Sequence, residues 1–286
     1  MVLASWQSVI VGSKRISKLE VTVQKGPLIW NLPLKEEERS ARSPANFIPT
    51  LESHFGTRSM HVLEIGVFQG GFAKRLHEST LNVISYDGVD PFSGSEGDPY
   101  ANSEHYWMDE KEAEQTYRKT RSLLDSLGYN LHRKTSLAFF SDESIPEKNY
   151  DLIHVDGDHR YHQAFFDMKV SFAALADEGI LAIDDYANAD TPDVTWAFDA
   201  FHRDIQSDIK RIGYASNWFQ ANNKPAPMSQ ATVYLEAIPR AKRKCQNNVS
   251  EVLRDMQENA AKPPSLMERL LDLSLRKVLR RMRGGK

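Results

Sequence analysis

The sequence predicts an α/β fold: a Rossmann-like, seven-stranded, mostly parallel sheet with helices on both faces and an antiparallel pair as its last two strands. Three observations predict it. From residue 60 onward, short apolar runs of strand length alternate with segments of helical periodicity. Two of those runs stop abruptly at carboxylates: residues 150–155 end at Asp156-Gly157-Asp158-His159, and residues 179–183 end at Asp184-Asp185. The final two runs, 210–215 and 231–237, have no helix between them, which suits antiparallel pairing.

Taken in order, residues 19–23 read as a strand, followed by a loop around Gly26, Pro27 and Pro33. Residues 35–42 are charged and read as a solvated helix or loop, and 47–54 as a helix covering the sheet. The first strand of the main sheet is 61–66, closing in a turn through Gly66, Gly70 and Gly71, and a helix over 72–78 follows. Residues 82–89 form the next strand and end at Asp90-Pro91. Residues 91–108, rich in Gly, Ser, Asp and aromatics, read as a long loop. Helical periodicity returns over 109–127, with Gly128 as its stop, and 130–136 reads as a strand. The 150–155 strand, a helix over 161–176, the 179–183 strand and a helix over 193–207 lead to the last two strands.

After Pro239 the chain changes character. Ser265-Leu266-Met267-Glu268 is a capping box that opens a helix to about residue 282, stopped by Gly284-Gly285. Arg269, Arg276, Lys277, Arg280 and Arg281 make one face of it basic. The lack of Trp and Phe there favours packing or a solvated face over contact with an anionic membrane surface. The expected division is an N-terminal decoration (1–45), a main domain (46–239) and a basic helical tail (240–286).

Composition bounds the function. With 286 residues, 41% hydrophobic and 26% charged, the chain is ordinary globular protein. It has neither a stretch of transmembrane length nor the basic-then-apolar start of a signal peptide. Its single cysteine, Cys245, forms no intrachain disulfide, which fits a reducing, cytoplasmic compartment. From residue 240 onward 13 Lys and Arg face 5 Asp and Glu, a surplus of eight, so a net charge of −3 leaves −11 on the rest. An acidic main domain argues against nucleic acid as a partner. Homo-oligomerisation is compatible with the sequence.

The chemistry-bearing residues fall at the predicted strand ends. In a right-handed β-α-β unit the two acidic corners emerge at one edge of the sheet, the edge where open α/β sheets bind ligands. Asp156, Asp184 and Asp185 would repel one another there without protons, water or a cation between them, and an oxygen-ligated divalent ion is the simplest arrangement. The bland alternative is a pair of helix caps with no metal. At the other turn, Gly66, Gly70 and Gly71 let backbone approach a ligand. Asp90, 19 residues after Gly71, is spaced to accept hydrogen bonds from ribose hydroxyls. The turn is not G-x-G-x-x-G, because Phe68 takes the middle position, so pyrophosphate binding and a nicotinamide oxidoreductase are disfavoured. A tight turn common to many α/β proteins is the alternative for the glycines alone.

These motifs in sequence, 63–71, 88–92, 151–159 and 183–186, resemble class I S-adenosylmethionine-dependent methyltransferases, and more narrowly methyltransferase family 24, which includes macrolide-sugar O-methyltransferases. The resemblance covers roughly residues 47–237. It implies that the Gly66–Gly71 turn holds the methionine part of S-adenosylmethionine, with Glu64 supporting the turn or meeting the amino group. It implies Asp90 on the ribose and Asp156, Asp184 and Asp185 as ligands of Mg2+. His159, three residues after Asp156, is then the first choice for the base that deprotonates a hydroxyl acceptor, and Asp156 the second. His159 as a residue that orders the loop or binds the cofactor stays open, and Asp158 reads as a helix cap.

Phe92, Tyr100, Tyr106, Trp107, Tyr186, Trp196 and Trp218 are aromatic candidates for stacking on an acceptor; for Trp196 and Phe198 a packing role is favoured. The expected function is a Mg2+-assisted O-methyltransferase acting on a small molecule or glycan, with a sugar-like acceptor ahead of a catechol. A non-catalytic methyltransferase-like binding module is the rival from another class.

Overall fold

The computed structural model describes residues 2–11, 14–23, 47–92, 110–142, 149–186, 191–217, 220–221, 224–225, 230–244 and 249–260. At the start of the chain β1 (Val2–Val11) and β2 (Lys14–Val23) pair antiparallel with Val2 opposite Val23, so the strand expected over 19–23 is the second half of β2.

The main sheet contains β3 (Ser59–Ile65), β4 (Asn82–Val89), β5 (Asn130–His132), β6 (Tyr150–Val155), β7 (Leu175–Tyr186), β8 (Ile209–Asn217) and β11 (Gln230–Ala237). The two-residue strands β9 (Gln220–Ala221) and β10 (Lys224–Pro225) pair only with each other. The seven-stranded sheet has the order β5-β4-β3-β6-β7-β11-β8. Its first five strands are parallel, and β11 runs antiparallel to both β7 and β8. This is the sheet the sequence predicts, including the antiparallel final pair. The order steps from β3 outward to β5 and then back to β6 beside β3, which makes the carboxyl ends of β3 and β6 the switch point of the sheet.

Around it lie α1 (Phe47–Phe55), α2 (Gly71–His77), α3 (Glu110–Leu127), α4 (Ser136–Phe140), α5 (Tyr161–Ala174), α6 (Pro192–Ile205) and α7 (Val249–Ala260). Side chains alternate across the pleat, so each inner strand feeds two cores. Val62, Leu152, Ile180 and Ala182 pack with α1, α2 and α3, while Leu63, Ile65, Ile153, Val155, Leu181 and Ile183 pack with α5, α6 and α7. The near-continuous apolar runs of β6 and β7 follow from burial on both faces.

Three expectations change. The strand expected over 130–136 stops at His132, and Thr135 caps the short helix α4 by accepting the Ala138 N–H at 3.2 Å. The helix expected to residue 176 ends at Ala174; Leu175 already pairs with Tyr150, and Glu178 turns the strand through a φ of 55°. Helix α7 was not expected at all, and its Val249 and Val252 are buried in the α5–α6 core. The helix expected over 265–282 and the loop bearing Tyr100, His105, Tyr106 and Trp107 lie outside the described residues, as do Trp218 and Cys245.

Arg243 fastens the chain beyond the sheet to the end of α5. Its guanidinium donates to the carbonyls of Ile238, Phe172, Leu175 and Ala176 and lies over the Phe172 ring, 5.1 Å from its centroid. Burial pulls the Arg243 pKa down to about 10, and nearby Arg240 adds to the effect. The Phe172, Leu175 and Ala176 carbonyls lie where α5 passes into β7, so Arg243 supplies donors to backbone at the end of that helix. No helix among the described residues is long and apolar enough to cross a membrane.

Candidate active site

The turn after β3 is built on contacts between strand ends. Gly66 N–H donates to the Val89 carbonyl at 2.9 Å, and Asp156 N–H donates to the Ile65 carbonyl at 2.8 Å. Gly66 has a φ of 86°, and a Cβ there would sit 1.9 Å from the Asp156 carbonyl oxygen. Only glycine lets the two corners touch in this way. Gly70 caps α2 with a φ of 74°, and Gly71 opens that helix.

Asp90 clamps this turn. Its Oδ2 accepts the backbone N–H of Val67 at 3.0 Å and of Phe68 at 2.9 Å, and its Oδ1 accepts that of Phe92 at 2.7 Å. The clamp holds Phe68 at a φ of 48°, a conformation unfavourable for a bulky residue. Burial raises the Asp90 pKa, with a smaller push from Glu64, while the three backbone donors pull it down. The sequence spacing that points Asp90 at a ribose also brings its carboxylate back onto the glycine turn.

The acidic corners divide around Asp156. One group combines Asp156 with Asp185 and His159, the other Asp156 with Asp184 and His154; in each, one donor atom per residue lies within 4.8 Å of the others. Consecutive residues of β7 face opposite sides of the sheet, which puts Asp184 in one group and Asp185 in the other. Asp185 has a φ of 58°, and its Oδ2 lies 2.8 Å from His159 Nε2. Asp184 Oδ1 accepts the Thr232 hydroxyl at 2.8 Å. Asp156 is pushed well above the usual carboxylate range, first by loss of water and then by the negative charges of Asp184, Asp185 and Glu64; Arg75 opposes this. Asp158 is turned away: it accepts the Arg160 N–H at 2.8 Å and pairs with that residue's guanidinium, so it orders the loop and does not cap α5, whose N-cap is Arg160.

On the Asp184 side a cavity of about 250 Å³ opens, lined by the turn from Gly66 to Gln69 and by Glu64, Phe72, Arg75, His154 and Thr232. Glu64 is buried and accepts the Tyr86 hydroxyl. His154 is also buried; its ring stacks on Phe72 with centroids 4.3 Å apart, and its Nδ1 lies 3.5 Å from Glu64 Oε1 without a hydrogen-bond partner.

The structure therefore brings Glu64, Gly66, Gly70, Gly71, Asp90, Asp156, His159, Asp184 and Asp185 to one end of the sheet. It adds His154, Arg75 and Thr232, which the sequence reading passed over. A signal for His154 exists: it stands two residues before Asp156 in a strand, and so on the same face. Phe92 and Tyr186, weighed as acceptor platforms, are instead 1% and 0% exposed; the Tyr186 hydroxyl donates to Asp199 Oδ1 at 3.1 Å. Phe198 is core, as favoured, and Trp196 is half-buried.

No curated protein matches the sequence. Among solved structures, similarity extends to a protein from Clostridium thermocellum described as an rRNA-methylase (12% identity, 72% of this chain and 98% of that one, TM-score 0.47). The Bacillus cereus O-methyltransferase in complex with SAH is 12% identical over 73% of this chain and 86% of that one, with a TM-score of 0.45. The O-methyltransferase TomG from Streptomyces achromogenes, in complex with SAM, is 13% identical over 73% and 85%, also with a TM-score of 0.45. Likeness at this level assigns no residue a role. Residues 63–186 match the family model described as a methyltransferase domain, Methyltransf_24, and this stretch runs from β3 through both acidic corners to the end of β7. Over this stretch the chain carries an S-adenosylmethionine-dependent methyltransferase domain similar to methyltransferase family 24.

Proposed function

We propose that this methyltransferase transfers the methyl group of S-adenosylmethionine to a hydroxyl oxygen of a small molecule or glycan, a sugar-like acceptor being favoured, and that a bound Mg2+ assists. The observation that carries the reading is the convergence of Asp156 with Asp184 on one side and with Asp185 and His159 on the other, next to the Gly66 turn.

In the transfer, the acceptor oxygen forms a bond to the methyl carbon as the carbon–sulfur bond breaks, and the sulfur keeps the electron pair. The hydroxyl proton must leave the oxygen. His159 would take it, and Asp185, 2.8 Å from Nε2, would stabilise the imidazolium that results. Asp156 is the second candidate for the proton, its carboxyl already held high by its surroundings. The Gly66–Gly71 turn would hold the methionine part of the cofactor, Glu64 would support it, and Asp90 would meet the ribose while holding the turn rigid.

The donor set suits a hard divalent ion: the negative charges of Asp184, Asp185 and Glu64 act together on Asp156, and Arg75 opposes them. Asp156, Asp184 and Asp185 would hold it. When bound, such an ion lowers the pKa of a coordinated hydroxyl and fixes its orientation.

The test is transfer of a labelled methyl group from S-adenosylmethionine to a panel of sugars, glycosides and catechols, with Mg2+ and after chelation. Transfer to an oxygen acceptor that stops on chelation is the expected result. Transfer only to nitrogen or carbon acceptors removes the hydroxyl assignment, and transfer that ignores chelation removes the ion. Binding of S-adenosylhomocysteine without transfer to any acceptor would mark a non-catalytic module.

A further inference from the structure

We infer that His154 is a nitrogen ligand for the divalent ion, completing with Asp156 and Asp184 a mixed imidazole–carboxylate position on the cavity side of the sheet. This rests on the reading that an ion binds at the acidic corners, and it changes both the ligand set and the class of ion. A ring nitrogen of His154 and one carboxylate oxygen from each aspartate lie within 4.8 Å of one another. Donors at roughly 2.0–2.2 Å from a first-row divalent ion stand no more than about 4.4 Å apart, so rotamer adjustments of a few tenths of an ångström suffice.

The second observation is independent of the acidic cluster. His154 is 5% exposed, lines the cavity, and its Nδ1 has no hydrogen-bond partner. Each nitrogen of a buried imidazole calls for a partner, and the partnerless Nδ1 is the one on the Glu64 side. Glu64 supplies the usual support of a metal-bound histidine. Its Oε1 lies 3.5 Å from Nδ1, and its other oxygen is held by Tyr86. With Nδ1–H turned toward Glu64, Nε2 is the nitrogen left for a cation. Phe72, stacked on the ring, fixes its plane.

The outer group offers less. The nitrogen of His159 that approaches the cluster is already 2.8 Å from Asp185. The two sites thus divide the work: His159 and Asp185 handle the proton, while His154, Asp156 and Asp184 hold the ion. One nitrogen and two carboxylates suit Mn2+, Fe2+ or Co2+ better than Mg2+, which prefers an all-oxygen shell.

The experiment uses the full chain with S-adenosylhomocysteine and Mn2+. Binding is measured by titration, and directly bound nitrogen is read by electron spin echo envelope modulation of the ion. The expected result is a 14N coupling in the unaltered protein and in His159→Gln. In His154→Gln the coupling is lost and Mn2+ affinity falls about tenfold or more. Bound Mn2+ without nitrogen coupling overturns the inference and leaves an oxygen-ligated ion standing. A coupling lost in His159→Gln but kept in His154→Gln overturns it in favour of the outer group. No Mn2+ binding at all removes the ion reading together with the inference. If His154→Gln fails to fold, the spectra of the unaltered protein and His159→Gln still decide the matter.

Discussion

His159 Nε2 stands 2.8 Å from Asp185 Oδ2, a contact that joins the β6 and β7 corners, with Asp185 in the left-handed region at a φ of 58°. The pair couples the proposed proton acceptor to a carboxylate that would stabilise the resulting charge. His159→Gln should therefore lower kcat by about 10²–10⁴-fold while the affinity for S-adenosylhomocysteine stays unchanged. Steady-state kinetics beside calorimetric binding make the comparison. Equal losses in both would assign His159 to cofactor binding.

Asp184 accepts the Thr232 hydroxyl and stands at the proposed ion position. Asp184→Ala should abolish cation-dependent turnover and leave S-adenosylhomocysteine binding within about twofold, while the lost Thr232 bond costs about 1 kcal/mol of stability. Turnover at the unaltered level would rule out Asp184 as a ligand.

Asp90 clamps the glycine turn and is the proposed partner of the ribose, and its removal should bear on both. In Asp90→Ala three backbone N–H groups lose their acceptor, a destabilisation on the order of 2–4 kcal/mol, and cofactor affinity weakens with the loosened turn. Denaturant unfolding and calorimetry read the two effects separately. A stable variant that binds the cofactor as before would contradict the clamp.

Asp167 carries a pH signature. It is buried under the Asp156-Gly157 corner, with the Ser136 hydroxyl at 2.5 Å and the Gln163 amide at 2.8 Å from its Oδ1. Burial pushes its pKa up to about 7, with the two hydrogen bonds opposing. The folded state then holds a proton that the unfolded chain releases above its ordinary carboxyl range. The resulting stability is fully present below about pH 4 and is lost as the pH rises through about 7, an effect of at most about 4 kcal/mol. Asp167→Asn should flatten the fall in unfolding free energy between pH 5 and 8. An unchanged slope would assign the pH dependence to another group.

The strand ends were legible because chain polarity changes sharply there: the apolar runs before Asp156 and Asp184 can only be buried strands, and parallel pairing carries their carboxylates to one edge. Gly66 was legible as a turn but not as the point where backbone meets backbone, since Asp156 is distant in sequence. His154 was hidden by its setting, because one histidine in an apolar run is easily taken for a packed core residue. The start of β7 was misread because Leu175-Ala176-Asp177-Glu178 continues a helical composition, while pairing of Leu175 with Tyr150 decides otherwise. Helix α4, five residues long, is too short to show a period.

The anchoring of Arg243 bears on how this chain can be shortened. Cutting after residue 239 would uncap the carbonyls at the end of α5 and strip Val249 and Val252 from the apolar layer beneath α6. Such a fragment keeps every acidic and glycine-bearing corner yet exposes oily surface, so it should aggregate, whereas one extended through residue 260 should stay in solution.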